Sequence, residues 1–143
     1  MVKKHLTKKE KKRKSAAKKA ARLNRESEEN FVKRLVRRGF TANVTGKAKG
    51  LPDILAYKKS KLQFFEIKPS RPSSMASALL KKDQGRWIKD YCLKKGVKAT
   101  LVYYKGSRKF KYKEIKLNSK NIDEFVQGGN SDILERTKEF SYR

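Results

Sequence analysis

Between residues 50 and 70 the chain reads GLPDILAYKKSKLQFFEIKPS, two apolar runs separated by the polar Lys58-Lys59-Ser60-Lys61. Pro52 to Tyr57 and Leu62 to Lys68 are rich in β-branched and aromatic residues, so the pattern predicts a β-hairpin with Lys59 and Ser60 at its tip. Upstream, ESEENFVKRLVRRGF places Phe31, Val32, Leu35 and Val36 at helical spacing and ends at Gly39, where a left-handed cap commonly falls. Downstream, LLKKDQGRWIKDYCLKKG carries Leu80, Trp87, Ile88 and Tyr91 as one helical stripe. Ala99 to Tyr104 then reads as a buried strand, and Lys109 to Lys113 alternates as an edge strand with one basic face. Its lysines discourage edge-to-edge pairing or form a ridge for phosphates. Beyond Leu117, one short docking helix is expected around Ile122, Phe125 and Val126, and another around Ile133, Leu134 and Phe140. Strands alternating with helices give an α/β domain.

The hairpin brings unlike chemistry together. With the tip at Lys59 and Ser60, partner numbers sum to 119, so Asp53 lies opposite Glu66 at about 5 Å between Cβ atoms. Lys68 shares the face of Glu66, while Phe65 and Ile67 point to the other. Two carboxylates this close repel unless a cation intervenes, and hard oxygen donors suit Mg²⁺ or Mn²⁺ better than zinc. His5 and Cys92, single in the chain, offer no zinc set. The plainer alternative is a cross-strand salt bridge of Lys68 with Glu66 or Asp53. On the first helix, at about 100° per residue, the apolar face is centred within roughly 10° of Glu28, and Glu29 falls about 90° away. Glu28 alone reads equally as an acid complementing a helix N-terminus. Gln84 lies near the centre of its own stripe, either facing the hairpin site or acting as a satisfied core amide.

Composition supplies the partner. The chain has 143 residues, with 40 Lys and Arg against 14 Asp and Glu, a formal charge of +26. Such an imbalance raises self-repulsion and calls for a polyanion, nucleic acid first. An acidic membrane surface is the competing partner, but no apolar run reaches the length of a spanning helix. Residues 1 to 25 hold twelve Lys or Arg and one Glu, a basic tail that is flexible or helical and serves as a solvated tail, a localisation signal or a grip on phosphates. One cysteine and no secretory signal pattern predict an intracellular protein, cytoplasmic or nucleoid-associated. The expected organisation is the tail at 1–25, one catalytic domain at 26–117 and a C-terminal helical extension at 118–143.

Glu28, then Pro52-Asp53, then Glu66-Ile67-Lys68 resembles the PD-(D/E)xK nuclease superfamily. Gly50-Leu51-Pro52-Asp53, Phe65-Glu66-Ile67-Lys68 and Gln84-Gly85-Arg86-Trp87 are similar to its VRR-NUC branch, and the run from Glu28 to Leu35 ending at Gly39-Phe40 resembles archaeal Holliday junction resolvases. The resemblance covers about residues 26 to 104. It implies a restriction-endonuclease-like mixed β-sheet core flanked by helices. It further implies Asp53 and Glu66 as metal ligands, joined by Glu28 and the Ile67 carbonyl, with Lys68 beside the attacking water and Gln84 facing the site. The catalytic set is then Glu28, Asp53, Glu66, Lys68 and Gln84, working with Mg²⁺, or Mn²⁺ in its place. Thr45, Lys47, Lys49, Arg71, Lys81 and Lys82 are expected against DNA. Where such resolvases carry an important serine, this chain has Thr45-Gly46. The expected activity is metal-dependent endonuclease cleavage of branched DNA by a homodimer. The alternatives are a non-enzymatic basic nucleic-acid-binding protein, or a nuclease of the same fold acting on flaps, duplex DNA or RNA.

Overall fold

The computed structural model describes residues 7–45, 52–70, 79–127 and 139–143. A single helix, α1, runs from Lys8 to Arg37, capped by Thr7, whose Oγ1 accepts the Glu10 amide at 3.1 Å. Strands β1 (Thr41–Val44), β2 (Ile54–Lys58) and β3 (Lys61–Pro69) follow, then helix α2 (Lys82–Tyr91), a 3-10 turn at Leu93–Lys95, and strands β4 (Lys98–Lys105) and β5 (Lys111–Lys116). A last 3-10 turn spans Ile122–Phe125.

The strands form one five-stranded sheet in chain order, β1-β2-β3-β4-β5. Only the β3–β4 pair is parallel, the crossover between them carrying α2; the other pairs are antiparallel. This is the expected mixed sheet flanked by helices. Ile54 pairs with Phe65 and Lys58 with Lys61, the anticipated register. The two-residue turn matches the twist of a hairpin by placing Lys59 at φ 51° and Ser60 at φ 63°, both in the left-handed region.

Each sheet face buries its own core because side chains alternate along a strand. Phe65 and Ile67 of β3, with Val102 and Tyr104 of β4, pack against Phe31 and Leu35 of α1. Leu101 and Tyr103 of β4 meet Ile88 and Cys92 on the α2 side, with Ile122 and Phe125 beneath them. Gly85 permits that contact: a Cβ there would stand 2.7 Å from Val126 Cγ2.

Some expectations shift. The buried row of α1 is Ser27, Phe31 and Leu35, and Val36 is 53% exposed. The row steps by four, and Val36 lies on the next row round, past the sheet. On α2, Gly85 and Ile88 are buried while Tyr91 is 55% exposed, leaning on Trp87 at the helix surface. Lys109 precedes β5 and lies in a bend. The outer edge of β5 is met at Tyr112 by the backbone of Arg143, with bonds of 3.0 Å in both directions. Phe140 stacks on Tyr103, while Ile133 and Leu134 fall outside the described residues.

Candidate active site

Asp53 stands one residue before β2, where the backbone ladder with β3 gives way to side chains. The Ile67 amide donates to Asp53 Oδ2 at 2.8 Å, and the Asp53 amide donates to Glu66 Oε2 at 3.2 Å. Each acid is thus held by the strand opposite, so both carboxyls are fixed before any ligand arrives. Glu66 is 4% exposed. Its Oε1 accepts Gln84 Nε2 at 3.1 Å and lies 3.8 Å from Lys68 Nζ. Gln84 is itself oriented, because its Oε1 accepts the Lys81 amide at 3.0 Å at the start of α2. The amide therefore turns its NH₂ toward the carboxylate.

Glu28 enters from the opposite layer. It lines a pocket of about 350 Å³ with Asp53, Glu66, Lys68, Lys81 and Gln84, at the C-terminal end of β3. Glu29 is exposed, as the helical phase predicted. Ile67 also lines this pocket, although its side chain is buried on the α1 side. Its backbone therefore faces the cavity.

Burial raises all three carboxyls. Glu28 is pushed up to about 7, chiefly by desolvation and then by the Asp53 charge, with Lys68 opposing. Glu66 is raised well above the usual carboxylate range by desolvation and by Asp53, against the pull of Lys68. Asp53 is raised by desolvation, opposed by its bond from the Ile67 amide. One ammonium does not offset the desolvation of these acids. Among the described residues, no three His, Cys, Asp or Glu side chains stand close enough to hold an ion by themselves.

Thr45 has a backbone-directed role: its hydroxyl donates to the Pro52 carbonyl, and its amide donates to the Asp53 carbonyl at 2.9 Å. These bonds tie the end of β1 to the residues just before β2, where Asp53 stands. Lys81 lines the pocket and Lys82 is exposed beside it. Lys47, Lys49 and Arg71 lie outside the described residues.

Two pocket residues escaped sequence reasoning. Asn24 and Gln127 line the cavity. Asn24 Oδ1 accepts the Tyr104 hydroxyl, and Tyr112 donates its hydroxyl to the Ser27 carbonyl at 2.7 Å, fastening α1 over the strand ends. No local signal marks Asn24, which sits in a lysine-rich segment. Gln127 reaches the pocket because its amide donates to the Leu80 carbonyl at 2.8 Å, beside the Leu80–Val126 bridge.

No family model matches the chain, and no curated protein matches it. Among solved structures it is similar to the Archaeoglobus fulgidus Holliday junction resolvase Hjc, at 17% identity and a TM-score of 0.43, over 64% of this chain and 88% of that one. No described helix is long and apolar enough to cross a membrane.

Proposed function

We propose that this chain is a divalent-metal-dependent endonuclease that hydrolyses DNA phosphodiester bonds at the pocket of Asp53, Glu66 and Lys68. The observation that carries the reading is the convergence of two backbone-anchored carboxyls, Glu66 buried and Asp53 half-buried, with an oriented amide and an ammonium in one cavity of a chain charged +26. A structural salt bridge requires one acid and one base. It gives no reason to bring the Glu66 carboxyl to 3.2 Å from the amide of Asp53 and to raise both acids.

The donor set fits Mg²⁺ or Mn²⁺. Magnesium is commonly held by one or two carboxylates with water completing the shell, so a closed cage of three acids is not required. Asp53, Glu66 and the Ile67 carbonyl would hold it, with Glu28 across the cavity ordering the outer water. When bound, such an ion would polarise a phosphoryl oxygen and lower the pKa of a water that it holds. The chain's own residues do the rest. Gln84 prevents Glu66 from rotating, and Lys68 orients the attacking water and stabilises charge growing on the phosphoryl oxygens. Lys81 and Lys82 hold the flanking backbone.

We take the substrate to be a branched duplex, as the resemblance of the Glu28–Leu35 run to junction resolvases implies. The basic surface binds phosphates irrespective of sequence, and the pocket presents carboxylates and an ammonium rather than a base-reading set. Two opposed cuts in a four-way junction need two sites, so we extend the proposal to a homodimer of chains with one site each. The test is a panel of junction, flap, duplex and single-stranded DNA and RNA with Mg²⁺ or EDTA, alongside light scattering. Mg²⁺-dependent nicking of branched DNA supports the reading. Tight binding without cleavage of any substrate identifies a non-enzymatic nucleic-acid-binding protein.

A further inference from the structure

A second charged cleft lies on the flank of α1, and it shares no lining residue with the acidic pocket. It encloses about 860 Å³ between the C-terminal half of α1 and the turn from β4 to β5. Arg34, Arg37 and Arg38 come from the helix end; Arg108, Lys109 and Lys111 come from the turn and the start of β5. Glu114 is the acid among its described lining residues.

These cations do different work. Arg38 is neutralised by Glu114, bonding both carboxylate oxygens at 3.2 and 3.1 Å. Arg34 is a clamp: its Nη1 donates to the Arg143 carbonyl at 2.7 Å, its Nη2 to the Phe110 carbonyl at 3.1 Å, and it lies over the Tyr112 ring. That clamp and the burial of Phe110 fix the β4–β5 turn from behind. Gly106 makes the turn tight enough, with φ 105° and no room for a Cβ, which would meet the Lys109 carbonyl at 2.1 Å. Arg108, Lys109 and Lys111 are exposed, and no hydrogen bond or ion pair to another described residue engages their side chains. Among the described residues, Arg37 reaches only the Lys33 carbonyl, at 3.4 Å. A stiff turn thus presents unneutralised cations across a cleft from an arginine.

We propose that this cleft seats the phosphate backbone of a second nucleic-acid segment, distinct from the one at the acidic pocket. The class of partner follows from the chemistry. The cleft is far larger than one inorganic anion, its cations arrive from two elements, and guanidinium groups pair with phosphate oxygens in a planar fork. The proposal rests on nucleic acid as the partner but not on hydrolysis, so it is tested in EDTA by binding alone.

Fluorescence anisotropy is measured over a salt series for a four-way junction and for a linear 12-base-pair duplex, which offers one segment where the junction offers several. The variant Arg108→Glu/Lys109→Glu/Lys111→Glu is compared with Lys59→Glu/Lys61→Glu/Lys120→Glu, which changes the charge equally elsewhere. Each lost phosphate contact lowers the salt slope by about 0.9, so the cleft variant should lose roughly 2 to 3 in slope and about tenfold in junction affinity relative to the control. The short duplex should bind both variants alike. The triple alanine variant, milder for folding, should show the same slope change. Equal behaviour of cleft and control variants on the junction overturns the proposal, as does equal loss on the short duplex. Poly-glutamate binding that needs the cleft while junction binding does not would assign it to an acidic protein instead.

Discussion

The acidic pocket and the arginine cleft share helix α1 yet treat charge in opposite ways. In the pocket, Glu66 is buried and every described neighbour is specified: the Asp53 amide, Gln84 and Lys68. In the cleft, the cations that matter remain solvated and only their scaffold, through Arg34 and Gly106, is fixed. Burying a charge demands a complete network and leaves strained protonation, whereas a solvated charge costs little and adds long-range attraction. Removing one group from the pocket should therefore abolish chemistry and spare binding, and removing charges from the cleft should do the reverse.

The largest effect is expected at Asp53 and Lys68. Asp53→Ala or Lys68→Ala should lower single-turnover cleavage by about 10³-fold or more while junction affinity stays within about threefold, because affinity resides in the basic surface. Gel-based cleavage and anisotropy on the same preparations check both. Glu28→Gln should cost roughly 10- to 100-fold, as for a group supporting a metal's outer shell, and Glu29→Gln almost nothing. Reversal of that order would show that Glu28 does not face the site in solution.

The pocket also responds to pH. The Glu28 carboxyl has a higher pKa folded, about 7, than its ordinary 4.5, so the folded state binds the proton more tightly. Its stabilising contribution is complete below the ordinary value and disappears as pH rises through about 7. Metal binding requires the acids deprotonated. Millimolar Mg²⁺ should thus raise Tm by a few °C at pH 8 and far less at pH 5.5 by calorimetry, and not in Asp53→Ala. A shift unchanged by pH would separate ion binding from these carboxyls.

Much of the pocket was legible because it is built from local periodicities. The polar break at Lys58–Lys61 fixes the hairpin register, the register sets Asp53 against Glu66, and helical phase separates Glu28 from Glu29. Strand β1 was not: Thr41–Val44 is only four residues long and largely exposed, so it has no alternation to read. Val36 and Tyr91 were misplaced because hydrophobicity marks a helical face, not the row that meets the sheet. Asn24, Gln127 and the cleft depend on contacts distant in sequence, such as Arg34 with Phe110.

A smaller test concerns packing under the pocket. Gly85→Ala should destabilise the fold by about 1–3 kcal/mol, because the new methyl forces Val126 aside beneath α2. Denaturant melts check it, and binding through the cleft should be unaffected. At the hairpin tip, Lys59→Asn/Ser60→Gly should stabilise by about 1 kcal/mol, since both positions hold left-handed backbone.

The most direct measurement of the central claim is single-turnover cleavage of a labelled four-way junction by the natural chain and by Glu66→Gln, each in Mg²⁺ and in EDTA. The substitution keeps the shape of the side chain, removes its charge, and replaces by an NH₂ one of the two oxygens that accept the Asp53 amide and Gln84. We predict cleavage by the natural chain in Mg²⁺, none in EDTA, and a loss of about 10³-fold in Glu66→Gln with binding retained. Cleavage that persists in EDTA, or Glu66→Gln cutting at the natural rate, would contradict the assignment of this pocket as the catalytic centre.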